Sequence, residues 1–268
     1  MPHWDFPATE PIDLLVEATA GSVRITAKPT QTITVDVRPS GSGKHGDDLA
    51  DEVRVDFADG RLEIVEPHQR PNWLRFASGL DVSVTLPTGS RCWVTTASAD
   101  VTADGELGSL AAKTISGEVV AGAITGNADV STTSGRISIN EASGQVSAKS
   151  ASGAVDLGEV ASDVDVNTVS GKVEIGKAAA DANVRTASGR IKIGSLSHGW
   201  AEIVTVSGEV KVGVAKGAGV YLDLSSLSGR VSSELEPSEA SDEVDLHLKC
   251  RSISGAVKVR RTELADAS

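Results

Sequence analysis

From residue 98 onward, apolar and polar positions alternate with the two-residue period of a β-strand, and that pattern itself repeats. Ser-Gly stands at 116–117, 134–135, 152–153, 170–171 and 188–189, a register of 18 residues, and again at 207–208, 228–229 and 254–255. One copy shows the logic. Ala128, Val130 and Thr132 share a face, Ile137 and Ile139 the next, and Val146, Ala148 and Ser150 a third. The buried set therefore passes from even to odd numbers and back. A straight strand cannot switch parity and keep its apolar side inward, so each copy must bend twice. The first bend falls at the Ser-Gly pairs, at Gly117, Gly135, Gly153, Gly171, Gly189 and Gly208. The second falls at Gly122, Asn140, Gly158, Gly176, Gly194 and Gly213. Gly and Asn tolerate a left-handed backbone, which predicts both rows as structural corners.

Strands that turn at fixed corners and return one strand spacing further on define a β-solenoid. The expected fold is all-β: a single-stranded parallel β-helix with about 18 residues per coil. One polar column should point inward by parity, at Thr114, Thr132, Ser150, Thr168, Thr186 and Thr205, continuing to Ser226 and Ser252. Its hydroxyls are expected to form an internal ladder, bonded to each other and to the corner backbone.

Residues 10–96 also alternate, in "GSVRITA", "TITVDVR", "EVRVDF", "RLEIVE" and "LDVSVTLP", but out of register with the repeat. The expected organisation is an irregular β cap over 1–96, regular coils over 97–262 and a polar tail over 263–268. A solenoid end is an open sheet edge that must be covered. Trp4, Phe6, Phe57, Trp73, Phe76 and Trp93 all precede the repeats, which points to an aromatic plug.

Composition narrows the function. The 268 residues carry 25 Lys and Arg against 37 Asp and Glu, a net charge of −12, with 40% apolar and 3% aromatic residues. Nucleic-acid binding by counterion release needs long basic patches, and none is visible, so no nucleic-acid partner is expected. No run approaches the length of a membrane helix, so no membrane insertion is expected either. The start "MPHWDFPATEP" shows no basic segment followed by an apolar run. The expected location is the cytoplasm, with the cell surface as the alternative.

Chemistry is sparse. Cys92 and Cys250 are too few for a disulfide framework or a zinc site. His3, His45, His68, His198 and His247 are scattered without metal or triad spacing. Outward columns mix signs, as in Glu118, Arg136, Ala154, Lys172 and Arg190, which reads as a solubilising surface. No catalytic residue, cofactor site or metal site is expected.

Three stretches carry a resemblance: "AGSVRIT", "VSVTLPTGSRCWVTTASADV" and the recurring T-x-S-G-x-(V/I)-x-(I/V). With them the chain resembles the bacterial DUF4097 family of β-strand-repeat proteins over about residues 12–260. That resemblance implies a repeat architecture and an adhesin label, and brings no catalytic residues. The function expected is a non-enzymatic scaffold or binding module presenting regular faces to a protein or glycan partner, with self-association as one version. The alternatives are a cell-envelope adhesin and a polysaccharide-acting β-helix enzyme.

Overall fold

The computed structural model describes residues 2–40, 50, 52–67, 79–235 and 244–262. Trp73, Phe76, the 263–268 tail and most of the acidic 233–245 stretch lie outside these. Two compact units are present, Met1–Ile139 and Asn140–Ser268.

The first unit contains β1 (His3–Pro7), β2 (Asp13–Ala18), β3 (Gly21–Ala27), β4 (Thr32–Pro39), β5 (Arg54–Ala58), β6 (Arg61–Val65) and β7 (Leu80–Leu86). These lead into β8 (Arg91–Thr96), β9 (Asp100–Leu107), β10 (Ser109–Lys113), β11 (Val119–Ile124), β12 (Ala128–Thr132) and β13 (Ile137–Ala142). One sheet runs β1-β4-β7-β3-β9-β11-β13 and the other β5-β6-β2-β8-β10-β12. Each coil gives one strand to each sheet. The even and odd apolar sets named above fill the interior: Leu14, Val94, Leu110 and Val130 from one sheet, Ile25, Val101, Val119 and Ile137 from the other, all at most 2% exposed. Burial of each such side chain stabilises by about 1.5–3 kcal/mol.

The coil formed by β2 and β3 is not at the end of this unit. It sits between the β6–β7 coil and the β8–β9 coil, parallel to both. The strands beyond are antiparallel: β4 on β7, β1 on β4, and β5 on β6. They close the end, and Phe6 of β1 meets Phe57 of β5 with ring centroids 5.3 Å apart. Trp93 is not part of this plug; it is 39% exposed, with the Arg91 guanidinium over its ring.

The second unit contains β14 (Val146–Ser150), β15 (Val155–Val160), β16 (Val164–Ser170), β17 (Val173–Ala178), β18 (Ala182–Ser188) and β19 (Ile191–Leu196). It continues with β20 (Gly199–Ser207), β21 (Val210–Val214), β22 (Val220–Ser226), β23 (Val231–Ser233), β24 (Leu246–Ser254) and β25 (Val257–Arg261). Its sheets run β14-β16-β18-β20-β24-β22 and β15-β17-β19-β21-β25-β23. Here too chain order and stacking order part. The β24–β25 coil lies between the β20–β21 coil and the β22–β23 coil. Leu246, Leu248 and Cys250 are covered on both sides and at most 1% exposed. Leu222 and Leu224 of the outer coil are only half-buried.

The glycine rows have a physical cause other than the expected one. Among the predicted corners only Gly208 has a positive φ, 143°. At the others the constraint is coil-to-coil approach. A Cβ on Gly135, Gly171, Gly189 or Gly208 would overlap the carbonyl oxygen of Gly117, Gly153, Gly171 or Gly189, one coil earlier. The Ser-Gly glycines lie between strands. The second row lies inside β11, β13, β15, β17, β19 and β21; in all but β21, where Val210, Val212 and Val214 keep one parity, the burial pattern shifts parity as at a bulge. A Cβ on Gly158 or Gly194 would likewise overlap Asn140 O or Gly176 O. Gly122 differs, since its nearest atom would be 3.5 Å away.

Candidate functional site

The inward hydroxyl column is buried: Thr114, Thr132, Ser150, Thr168, Thr186, Thr205 and Ser252 are each at most 7% exposed. Its hydrogen bonds follow two patterns. Thr114, Thr132 and Ser150 accept the amide N–H of Gly117, Gly135 and Gly153 at 3.0, 2.9 and 2.8 Å. Strands β10, β12 and β14 end at or before these residues. Strands β16, β18 and β20 instead run on to the Ser of the Ser-Gly pair. There the Gly171, Gly189 and Gly208 amides donate to the carbonyls of Ser188, Ser207 and Ser254 at 3.0–3.1 Å. The hydroxyls of Thr168, Thr186, Thr205 and Ser252 are left without a hydrogen-bond partner among the described residues. Side chains enclosed in this way serve stability, so any binding function belongs to the outer faces.

The outer face of β20, β24 and β22 carries three aromatic rings in one column. Parallel register pairs Trp200 with His247 and Tyr221 with His247. The Trp200 and His247 rings stack at 4.9 Å with 16° between planes. Tyr221 leans on the other side of His247 at 5.6 Å and 47°. Trp200 is 53% and Tyr221 58% exposed.

Local backbone geometry sets this column. Gly199 turns the chain into β20 with φ at 90°, and the Trp200 amide donates to Asp181 Oδ1 at 2.7 Å. The Gly219 amide donates to Asp245 Oδ2 at 2.8 Å, tying the start of β22 to that of β24. Two residues along the same face, Lys249 Nζ donates to Glu202 Oε1 at 2.9 Å, and Arg185 reaches Glu202 Oε2 at 3.0 Å. These bonds, Lys249 first, hold the Glu202 carboxyl below its usual range of about 4.5. Asp223 completes the polar fringe.

Composition and spacing drew no attention to these rings. A column alignment would have found Trp200 at the position of Asn127, Gln145, Asp163 and Asp181. It could not have added His247 and Tyr221 without the stacking order.

The other titratable groups stay apart. His3 lies between Asp36 and Asp5 at 3.0 and 3.2 Å, and these bonds, Asp36 foremost, raise its pKa above 6.5. His198 is exposed, and His45 and His68 lie outside the described residues. Cys92 and Cys250 are free and buried, and burial pushes both thiols up to about 12. Among the described residues no group of three or more His, Cys, Asp or Glu is arranged to hold a metal ion. No helix among them is long and apolar enough to cross a membrane. Outward charges pair across coils, as in Glu159–Lys177 at 2.6 Å and Glu118–Arg136 at 3.8 Å.

Two mostly parallel sheets wound from short coils, with side-chain columns displayed outside, define a β-solenoid-like repeat protein. The chain belongs to the Toastrack family, DUF4097, whose model matches residues 12–266. No curated protein matches it. Similar solved structures include a "putative adhesin" from Parabacteroides merdae, 11% identical, covering 98% of this chain and 96% of that one with a TM-score of 0.46. A second "putative adhesin", from Parabacteroides distasonis, is 13% identical over 96% of both chains with a TM-score of 0.40. A "putative lipid binding protein" from the same species is 12% identical, covering 98% and 96%, at 0.35.

Proposed function

We propose that the chain is a non-enzymatic binding module, and that its second unit takes a glycan on the Trp200–His247–Tyr221 column. The observation that carries this reading is the exposure of two large rings, held in register by a third on a regular sheet. Exposed, rigid aromatic surface is costly to solubility and marks interaction sites. The apolar face of a pyranose ring stacks on an indole or phenol, and Glu202, Lys249 and Asp223 stand beside it to bond sugar hydroxyls.

The test is titration of the intact chain with a panel of neutral oligosaccharides, followed by Trp fluorescence and calorimetry. At least one should bind, and Trp200→Ala and Tyr221→Ala should each weaken binding by up to about tenfold, the value of one aromatic contact. Failure of the whole panel, or equal binding by both variants, would refute the reading.

A further inference from the structure

The opposite sheet of the second unit holds a cleft of about 480 Å³ lined by Lys172, Arg190, Lys192, Lys211, Lys258 and Arg260. Among the described residues of its lining only Glu174 and Glu234 oppose these six cations, although the chain as a whole carries a net charge of −12. The bulged strands make the hollow. Gly194 and Gly213 form part of its lining and contribute no side chain. A Cβ at either would overlap the backbone of the coil below.

Lys192, Lys211 and Lys258 stand directly opposite one another on β19, β21 and β25. Neighbouring strands are about 4.8 Å apart. Like charges set opposite each other on adjacent strands are destabilising. Part of this column is neutralised: Glu174 takes Lys172 at 2.7 Å and Lys192 at 3.6 Å, and Glu209 takes Lys211 at 3.0 Å. Lys258 and Arg260 have no ion-pair partner among the described residues. Arg260 occupies the register position of Gly213, so a cation stands where the coil below has no side chain.

We infer that this cleft is a second binding site, for a linear acidic glycan with one carboxylate on each sugar, lying along the stacking direction. Extended pyranose chains advance by about one strand spacing, roughly 4.8 Å, per sugar and turn successive carboxylates to opposite sides, so carboxylates on alternate sugars of a two-fold chain face Lys192 and Lys258, two strands apart. The described residues of the cleft lining include no aromatic ring, on which the bases of single-stranded nucleic acid would stack. This inference does not depend on the aromatic column, which belongs to the other sheet.

The test is calorimetry of the full chain with oligogalacturonate at low and high NaCl. Binding should weaken steeply with salt. Lys211→Gln together with Lys258→Gln should lose at least about tenfold in affinity, the loss of roughly 1.4 kcal/mol. The lysine changes should cost the same factor in the Trp200→Ala background as in the unaltered chain, which separates this site from the aromatic one. A shared urea midpoint shows that the double variant is folded; if it is lowered, Lys258→Gln alone is used and should still weaken binding. No binding of oligogalacturonate, binding insensitive to the lysine changes, or equal and lysine-dependent binding of neutral dextrin overturns the inference. So does equal, lysine-dependent binding of inorganic phosphate or a single-stranded oligonucleotide.

Discussion

The amide of Gly189 donates to the carbonyl oxygen of Ser207 at 3.0 Å, and the hydroxyl of Thr186, three residues before that glycine, has no hydrogen-bond partner among the described residues. In the coil ending at Gly135 the same amide donates to Thr132 instead, at 2.9 Å. A made hydrogen bond is worth about 1 kcal/mol net, and an unmade buried one costs about 1–3 kcal/mol. Thr132→Val should therefore lower stability by about 1 kcal/mol, whereas Thr186→Val should be neutral or raise it. Urea unfolding of the two variants checks this, and the reverse order would reject the two-pattern account.

The glycine rows give a second prediction. If close approach is the constraint, Gly189→Ala should cost about 1–3 kcal/mol through overpacking. Gly122→Ala should stay within about 0.5 kcal/mol, because the nearest atom to its Cβ is 3.5 Å away. A left-handed requirement shared by both rows would penalise both, so the pair of melting curves distinguishes the two causes.

How much of this was legible is clearest at single positions. Parity is a property of strand geometry, so Ile137, Ile139, Val146 and Ala148 could be assigned to the interior from their numbers alone, and all four are at most 1% exposed. The fate of the Gly amides was not legible. "TTSGRI" and "TASGRI" differ by one residue, yet their amides choose different acceptors, because the choice depends on how far the neighbouring strand continues. Stacking order was equally hidden. The wider Ser-Gly intervals near the C-terminus read as loops on successive coils, and nothing in the alternation of β22 and β24 says which is covered on both sides.

The thiols give a third prediction. With Cys92 and Cys250 buried and their pKa values near 12, neither should form a thiolate at pH 8. Ellman's reagent should react with neither in the native protein and with both in urea.

Acid sensitivity follows from three glutamates. Hydrogen bonds from Lys172, Lys249 and Lys211 chiefly hold Glu174, Glu202 and Glu209 below 4.5. A carboxyl depressed in the folded state contributes stability that is present above the unfolded value and lost as pH falls through the folded one. The contribution of these glutamates to the urea midpoint should be flat above about pH 5 and decline below 4.5. In Lys249→Met the NMR titration of Glu202 should move up toward 4.5; an unmoved titration would show that the ion pair does not set it.

His247 lies between Trp200 and Tyr221 because the β24–β25 coil is inserted between two coils that precede it in the chain. Disulfide trapping tests that order directly. Glu202 and Lys249 are register partners on β20 and β24, about one strand spacing apart and within disulfide reach. Glu202 and Asp223 are two strands apart, beyond it. Mild oxidation should cross-link Glu202→Cys with Lys249→Cys and leave Glu202→Cys with Asp223→Cys reduced. Cross-linking of the second pair and not the first would mean that the coils stack in chain order, and His247 would not lie between Trp200 and Tyr221.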